Sequence, residues 1–347
     1  MRAVANESGG GDQKTGLAAK IAFLQRPDSY PGQPTAVEVK ETHMSWVFLT
    51  GAHAYKLKKP VRQIFLDFST IEARRLNCER EVALNRRLAP DVYLGILPLT
   101  VDMEGRLHLG GPGRPIDWLV QMRRLPAEQT LEHAIMTNQV QEADVRRVAD
   151  RLAGFYRSAA HVHIGPREYR RRFEEDVRIN RRELTRPLFR LPVEAVAELA
   201  TAQLTFLATH GDLLEGRALA GKIVEGHGDL RPEHVYLGPQ PVVMDCIEFN
   251  REFRIQDPAD ELAYLAMECD RLGAPLINDW IFGTYGDRTN DRVPQSLIDF
   301  YKCYRAYLRA KIAIWHLDEP EVRDTLKWTQ RADDYLRLAR EYSKRYA

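Results

Sequence analysis

The stretch from His227 to Asp245, H-G-D-L-R-P-E-H-V-Y-L-G-P-Q-P-V-V-M-D, restricts the fold of this chain more than any other. It begins with a polar turn, and two short β-prone runs then flank a Gly-Pro-Gln-Pro break, which is the composition of a tight hairpin. If Gly238 to Pro241 form the loop, His234 lies opposite Asp245 with Cβ atoms about 5 Å apart. The stretch therefore predicts that a histidine and a carboxylate meet near the turn that carries Asp229.

Composition limits the classes of protein that the chain can belong to. The 347 residues are 44% hydrophobic, carry a formal net charge of +1 and include four widely spaced cysteines. No global charge favours nucleic acid or an anionic membrane, and no apolar run approaches the roughly 20 residues of a membrane span. Cysteines without a CxxC pattern suit a reducing compartment. We therefore expect a cytoplasmic protein that contacts neither nucleic acid nor membrane.

The order of the elements predicts an α+β fold in two parts. Residues 1 to 16 are poor in apolar side chains and are expected to form a disordered tail. Residues 17 to 122 alternate short strands with one main helix, predicted at Leu17–Gln25 (a short helix), Val37–Lys40, Trp46–Thr50, Ala54–Lys58, Ser69–Leu88 (the main helix), Val92–Val101, Arg106–Leu109 and Ile116–Met122. Residues 123 to 347 are mostly helical, with helices predicted at Thr130–Asn138, Glu142–His161, Glu168–Glu183, Val193–Gly216, from Asp257-Pro258 onward, Leu297–Leu317 and Val322–Arg345.

The His-Gly-Asp segment resembles the catalytic segment of the aminoglycoside phosphotransferase family, a branch of the protein-kinase-like fold. In that family H-G-D-x-x-x-x-N carries the catalytic Asp and a metal-binding Asn, and a short hairpin leads to a second metal-binding Asp. The resemblance implies Asp229 as the catalytic residue and Asp245 as the metal ligand. His234 stands in place of the Asn, and imidazole is a poor ligand for Mg²⁺. His227 and Glu248 are implied as supporting residues around this site.

The third predicted strand carries the lysine that the resemblance assigns to the nucleotide. Ala54-Tyr55-Lys56 reproduces the kinase spacing of a small residue two positions before a lysine, so Lys56 is implied to orient the α- and β-phosphates. Period two places Lys58 on the same face as Lys56, but we expect Lys58 and Lys59 to be solvated.

The predicted main helix supplies the partner of that lysine. Glu81 shares an apolar stripe with Leu84 and Leu88, and a carboxylate on such a stripe requires a cation. The resemblance pairs this glutamate with Lys56, and Glu79 is the second choice.

Other nucleotide contacts follow from the same resemblance. The turn between the first two strands offers Thr42, His43 and Ser45 as hydrogen-bond donors to phosphates, although no G-x-G-x-x-G is present. Backbone groups of Gln121, Met122 and Arg123 are implied to bind the adenine edge. No Walker A motif occurs, which excludes a P-loop.

The segment Asp257-Pro258-Ala259-Asp260-Glu261-Leu262-Ala263 resembles the family motif D-P-x-x-D-L-A, with Glu261 replacing the second Asp. The resemblance implies that Asp257 supports the catalytic loop. Carboxylates for a cationic acceptor could come from Glu248, Glu252, Asp260 and Glu261. Asn290, Asp291 and the range Tyr304 to Arg309 are further candidates to face the acceptor.

The resemblance, which also includes A-Y-K-L-K-K-P, L-D-F-S-T and M-D-C-I-E-F-N, points to an uncharacterised bacterial subgroup of the family. It implies a bilobal kinase-like fold that uses ATP or GTP with Mg²⁺ or Mn²⁺ to phosphorylate a hydroxyl on an unidentified small molecule. Two alternatives remain open. One is a nucleotide-binding regulator without catalysis. The other is a hydrolase whose zinc or iron is held by His227, Asp229, His234 and Asp245.

Overall fold

The computed structural model describes residues 16–63, 66–318 and 325–346. They divide into two compact units. The sheet unit comprises residues 16–127 and Val243–Arg251, and the helical unit comprises Glu128–Val242 and residues 252–346. The α+β fold is confirmed, with an antiparallel sheet and one main helix in the first unit and mostly helices in the second. The predicted tail, apart from Gly16, lies outside the described residues.

A six-stranded antiparallel sheet forms the centre of the sheet unit. The elements of this unit are α1 (Leu17–Leu24), β1 (Glu38–Glu41), β2 (Ser45–Leu49), β3 (His53–Lys58), β4 (Arg62–Gln63), β5 (Leu66–Asp67), α2 (Ile71–Asn85), β6 (Tyr93–Val101), β7 (Leu107–Leu109) and β8 (Arg114–Arg123). The strands of the large sheet lie in the order β1-β2-β3-β8-β6-β7, and β4 pairs with β5. The three predicted first strands therefore form a meander.

Strand periodicity separates the two faces of β3. Tyr55 and Leu57 are buried in an apolar cluster with Phe48 of β2 and Leu24 of α1. Lys56 and Lys58, which alternate with these residues along the strand, project from the opposite face, because successive side chains of a strand point to opposite sides. One face of the strand thus stabilises the unit, and the other presents two lysines.

Helix α2 is capped and tied to the sheet by polar contacts. The Thr70 side chain accepts from the backbone N–H of Ala73 and forms the N-cap. Within α2, Arg74 donates to both carboxylate oxygens of the buried Asp117 on β8, at 2.8 and 2.9 Å. Lys20 of α1 contacts the same carboxylate at 2.8 Å. These contacts fix the rotation of α2 relative to the sheet.

The helical unit contains most of the helices and three short strands together with part of a fourth. Its elements are α3 (Leu131–Met136), α4 (Glu142–Ser158), α5 (Pro166–Leu184), α6 (Val193–Thr209), α7 (Gly211–Leu219), β9 (Val224–Glu225), β10 (Val235–Tyr236), β11 (Val242–Val243, where the chain passes to the sheet unit), β12 (Ile255–Gln256), α8 (Pro258–Arg271), α9 (Ile277–Thr289), α10 (Gln295–Trp315) and α11 (Thr325–Tyr346). β10 pairs with β11 as the predicted hairpin, and β12 pairs with β9.

Two features of the helical unit differ from the sequence expectation. The single helix expected over Val193–Gly216 is wrong, because the chain leaves helical geometry at His210 (φ −128°, ψ 22°) and restarts at Gly211. Helix α9 was not expected, since its two glycines and scattered apolar residues give no stripe. The residues before Thr325 in the expected last helix lie outside the described ranges. None of the helices in those ranges is long and apolar enough to cross a bilayer.

Helix α8 lies at the centre of the helical unit. Every residue from Pro258 to Cys269 is buried, which is the pattern of a helix surrounded by protein on all sides. Asp257 forms its N-cap and Pro258 occupies its first turn, as predicted. Because α8 is enclosed, its polar side chains must find partners within the protein.

Candidate active site

In the sheet unit, the ammonium group of Lys56 lies between two carboxylates. Its Nζ is 2.9 Å from Oε1 of Glu81 and 2.9 Å from Oδ1 of Asp245. The predicted ion pair between the β3 lysine and the α2 glutamate is therefore present. Burial opposes the charge of Lys56, but Asp245 and Glu81 more than offset this and raise its pKa well above the ordinary value.

Lys58 is a second member of this cluster, and the expectation that it is solvated is wrong. Its side chain is 1% exposed and forms ion pairs with Oε2 of Glu81 and Oε1 of Glu248. The strand period that aligns Lys58 with Lys56 also brings it beneath α2, where only an ion pair can compensate its burial. The charges of Asp245, Lys56, Glu81, Lys58 and Glu248 thus alternate along one chain of contacts.

The sequence left Glu79 as a second partner for the lysine, and the structure places it elsewhere. Glu79 is exposed and contacts Arg75 at 2.5 Å, one turn away on α2. Glu81, in contrast, is fully buried. Burial raises the pKa of Glu81, and the two lysines overcome this and hold the pKa below its usual range. Glu81 is therefore ionised at neutral pH.

The backbone of Asp245 adopts a left-handed conformation, with φ at 64°. Its N–H donates to the hydroxyl of Tyr93 at 3.2 Å, and the next N–H, of Cys246, donates to Oδ1 of Asn85 at 2.9 Å. Asn85 lies one turn after Glu81 on α2 and donates to its carbonyl. The side chain of Asp245 remains 44% exposed. The contact with Lys56 and the two backbone hydrogen bonds of this segment thus hold the carboxylate in place.

In the helical unit, the carboxylate of Asp229 is held by two side chains that the sequence did not single out. Tyr264 of α8 donates to Oδ1 at 3.0 Å, and Arg231 contacts Oδ2 at 2.9 Å. Burial raises the pKa of Asp229, but Arg231 and Arg309 counter this and hold the pKa well below its usual range. Asp229 is therefore ionised and fixed in orientation.

The turn before Asp229 is held by Glu261, and not by Asp257 as the resemblance implied. The backbone N–H groups of His227 and Gly228 donate to the Glu261 carboxylate at 2.8 and 2.6 Å. Tyr156 donates to the same group at 2.8 Å. Burial raises the pKa of Glu261, whereas these hydrogen-bond donors stabilise the ionised carboxylate and so act to lower the pKa.

Asp257 instead organises the start of α8. It receives a bidentate contact from Arg217, with both distances 2.7 Å, and a hydrogen bond of 3.1 Å from Tyr301. The sequence signal for the contact between Glu261 and the turn before Asp229 was the segment that resembles D-P-x-x-D-L-A, in which Glu261 replaces the second Asp. The longer glutamate side chain starts four residues after the N-cap, on the same face as Tyr264.

Both ring nitrogens of His234 are engaged. Nδ1 is 2.9 Å from the carbonyl of Asp229, and Nε2 is 3.2 Å from Nη2 of Arg231. Because an arginine can only donate, Nε2 is the acceptor and Nδ1 carries the proton. His234 could bind a metal only after Arg231 withdrew from Nε2. The predicted approach of His234 to Asp245 stays a prediction, because the two residues belong to different units.

His227 lies behind the loop. Its side chain is buried, and its Nδ1 accepts from the backbone N–H of Asp229 at 3.3 Å. The histidine thus stabilises the turn. Across the described ranges, no group of three or more His, Cys, Asp and Glu side chains is arranged to hold a metal ion.

The turn between β1 and β2 uses most of its polar groups internally. The hydroxyl of Thr42 donates to the carbonyl of Ser45 and accepts from its N–H, both at 3.0 Å. Ser45 is fully buried, and its hydroxyl has no hydrogen-bond partner among the described residues. Of the three residues predicted to face phosphates, only Thr42 and His43 are exposed.

The three residues assigned to the adenine edge lie inside β8. Gln121 and Met122 are paired on one side with β3 and on the other with β6. Arg123 pairs with His53, and its N–H donates to the carbonyl of Val92 at 2.8 Å. The backbone groups of Gln121 and Met122 are therefore paired within the sheet, and the assignment of this segment to an adenine edge stays a prediction.

Comparison with known proteins identifies the fold. No protein-family model matches the sequence. Uncharacterised proteins of Mycobacterium tuberculosis and Mycobacterium bovis are 34% identical over 284 residues, which is 80% of this chain and 54% of theirs. The chain thus spans about half the length of these curated relatives.

Two solved structures resemble the chain over almost its whole length. A choline/ethanolamine kinase family protein from Mesorhizobium loti has a TM-score of 0.55 at 14% identity, covering 94% of this chain and 100% of that structure. A choline kinase from Cryptosporidium parvum has a TM-score of 0.53 at 12% identity, covering 94% and 96%. The chain therefore has the protein-kinase-like fold of small-molecule kinases.

Proposed function

We propose that the chain transfers a phosphoryl group from ATP or GTP to a hydroxyl group of a small molecule. The observation that carries this proposal is the position of Lys56, 2.9 Å from both Glu81 and Asp245. A kinase needs a fixed ammonium group for the phosphates and a nearby carboxylate for the metal. In phosphoryl transfer, positioning and charge neutralisation supply most of the catalysis.

The residues of the sheet unit fit a magnesium–nucleotide complex. Lys56 would hold the phosphates, since its ammonium group offers three donors and its charge is secured by Glu81. Asp245 would hold Mg²⁺ or Mn²⁺, because carboxylate oxygens suit hard cations and its side chain is 44% exposed. When bound, the complex supplies the phosphoryl group and the cation neutralises part of its charge.

The helical unit supplies the group that acts on the acceptor. The carboxylate of Asp229 would orient the acceptor hydroxyl and take its proton on one of its Oδ atoms, while Tyr264 keeps the carboxylate from rotating. A pKa held below the usual range makes Asp229 a weak base. This suits a reaction whose transition state is largely dissociative, because the hydroxyl loses its proton late.

Substitution of Asp229 by Asn tests the proposal. We expect turnover to fall by about 10²–10⁴-fold, the contribution of a general base. The affinity for a non-hydrolysable ATP analogue, measured by calorimetry with Mg²⁺, should stay within about twofold because no nucleotide contact is removed. Asp150→Asn, at an exposed aspartate of α4, is the matched control. Retained turnover in Asp229→Asn, or loss of analogue binding, would contradict the proposed role.

Two measurements on the wild-type chain separate the alternatives. A silent regulator is supported if the wild-type chain binds nucleotide but forms no product with Mg²⁺ or Mn²⁺ and a pool of hydroxyl-bearing metabolites. A hydrolase is supported if elemental analysis finds stoichiometric zinc or iron. The proposed kinase requires a labelled product that depends on Asp229.

A further inference from the structure

Two arginines of the helical unit flank one aromatic ring near Asp229. Arg271, the last residue of α8, and Arg309 of α10 have their guanidinium carbons 5.7 and 5.6 Å from the centre of the Tyr335 ring. Glu268 lies between them, 2.7 Å from Nε of Arg271 and 3.2 Å from Nε of Arg309. The hydroxyl of Tyr335 also donates to Glu268 at 2.7 Å. The buried carboxylate of Glu268 and the ring of Tyr335 therefore fix the position of both guanidinium groups.

The outer edges of both guanidinium groups remain available. Among the described residues, the Nη nitrogens of Arg271 and Arg309 have no hydrogen-bond partner, and none of them is closed off from solvent. The two side chains are only 12% and 17% exposed. An arginine presents only donors, in a planar arrangement that matches a carboxylate or phosphate. The pair thus offers fixed donors without a described partner on two side chains that are mostly buried.

Helix α8 links this arginine pair to the carboxylate of Asp229. Tyr264, which donates to Asp229, is one turn before Glu268 on α8. Side chains four residues apart on a helix are neighbours. The charge of Arg309 also helps to hold the pKa of Asp229 below its usual range. A molecule that presents a hydroxyl to Asp229 can therefore place a second group at the arginines.

The carboxylates that would receive a cationic acceptor are already used. Glu261 is consumed by backbone N–H groups and Asp260 by Arg305, both fully within the protein. Glu248 is paired with Lys58 in the sheet unit. Glu252, the fourth, is exposed and pairs with Arg172 at 3.4 Å, so the expected acidic acceptor site would keep only this carboxylate at the surface. Around Asp229, Arg231 and Arg309 supply positive charge, and Glu233, which pairs with Arg231, supplies a negative one.

We propose that Arg271 and Arg309 form an oxyanion subsite that binds a phosphate or carboxylate group of the acceptor. That the bound anion belongs to an acceptor rests on the proposed function, whereas the anion site itself rests on the geometry of the two arginines alone. The acceptor is then a hydroxyl compound with an anionic group, such as a sugar phosphate or a hydroxy acid. Amino alcohols and aminoglycosides would be disfavoured, since their cationic groups would face two arginines.

Binding of inorganic phosphate to the full chain, measured by calorimetry without nucleotide, tests the subsite. Arg271→Lys and Arg309→Lys each keep a positive charge beside Glu268, so the fold should be retained. Each removes the Nη donors that would bind the anion. We expect each to weaken phosphate binding by about tenfold, the loss of one charge-assisted contact. The control is Arg186→Lys, because Arg186 also pairs with a carboxylate, of Asp318, and lies over a ring, of Phe189. Phosphate binding that is absent from the wild type, or unchanged in both variants, would overturn the proposal.

A second measurement assigns the anion to its source. The affinity of both variants for a non-hydrolysable ATP analogue should stay within about twofold of wild type if the subsite serves the acceptor. A loss of about tenfold or more would assign the arginines to the nucleotide phosphates and overturn the acceptor assignment. With labelled ATP, glycerol 3-phosphate and gluconate should be better acceptors than choline and kanamycin. Phosphate binding that depends on both arginines in a chain without any turnover would contradict the proposed function and leave the anion site standing.

Discussion

The hydroxyl of Tyr264 donates a hydrogen bond of 3.0 Å to Oδ1 of Asp229. The bond fixes the rotation of the carboxylate, so its loss should affect the chemical step. We expect Tyr264→Phe to lower kcat by about 10–100-fold, since small misplacements of a reacting group cost this much. The KM for nucleotide should change little. Tyr342→Phe removes a similar bond, to Asp270, and is the control. A raised nucleotide KM with unchanged kcat would contradict the positioning role.

The pairing of Lys58 with Glu248 should be visible in stability. Lys58→Met leaves the Glu248 carboxylate buried without its cation, and breaking a buried pair costs about 3–5 kcal/mol. In the double variant Lys58→Met/Glu248→Gln no uncompensated charge remains at that end, so part of this loss should be recovered. The free energy of unfolding in urea, measured for both single variants and the double variant, gives the coupling directly. Strict additivity of the two single effects would show that the ion pair contributes nothing.

The depressed pKa of Glu81 predicts a dependence of stability on pH. A glutamate ordinarily titrates at 4.5, and the folded state holds Glu81 below this value. Its ion pairs therefore stabilise the fold above pH 4.5, and the contribution is lost as pH falls through the folded pKa. The difference in Tm between wild type and Glu81→Gln should be large at neutral pH and should narrow in acid.

Glu79→Gln is the matched control for Glu81→Gln, because Glu79 lies on the same helix but is exposed. Its ion pair with Arg75 should contribute about 0–1 kcal/mol at any pH. Thermal melts of the three proteins between about pH 7 and about pH 3 cover the range in which Glu81 loses its charge. A Tm difference for Glu81→Gln that is constant across this range would show that its charge is not the stabilising feature.

The left-handed backbone at Asp245 separates its chemical role from its structural one. Asp245→Gly and Asp245→Ala both remove the carboxylate and should both abolish metal-dependent turnover. Glycine adopts φ of 64° freely, whereas alanine is strained there by about 1–2 kcal/mol. Asp245→Gly should therefore unfold at the higher urea concentration of the two. Equal stability would mean that the backbone relaxes when the side chain is lost.

Local patterns in the sequence predicted the strands of the six-stranded sheet, the main helix and the pair of Lys56 with Glu81. Strand period two, the apolar stripe of α2 and the family motifs each use information from a few neighbouring residues. Lys58 was misplaced because the same period that aligned it with Lys56 gives no information on what covers the strand. Its burial depends on α2 and on Glu248, which lies 190 residues later.

The contacts of the catalytic loop show the same limit. Glu261 and Tyr264 could be recognised as lying on one face of α8, but their partners, His227, Gly228 and Asp229, are far away in sequence. Arg231 was not expected to contact Asp229 because a charged residue in a turn is usually solvated. The helix broken at His210 was missed because both halves have good helix formers and no proline separates them.

Helix α8 connects three parts of the helical unit through side chains on one side. Glu261 holds the turn, Tyr264 holds Asp229, and Glu268 holds the two arginines. A small rotation of α8 about its axis would displace all three side-chain contacts at once. Conservative exchanges on its far side, at Leu262 or Ala266, should therefore alter turnover and phosphate affinity in step, even though neither residue would touch a reactant.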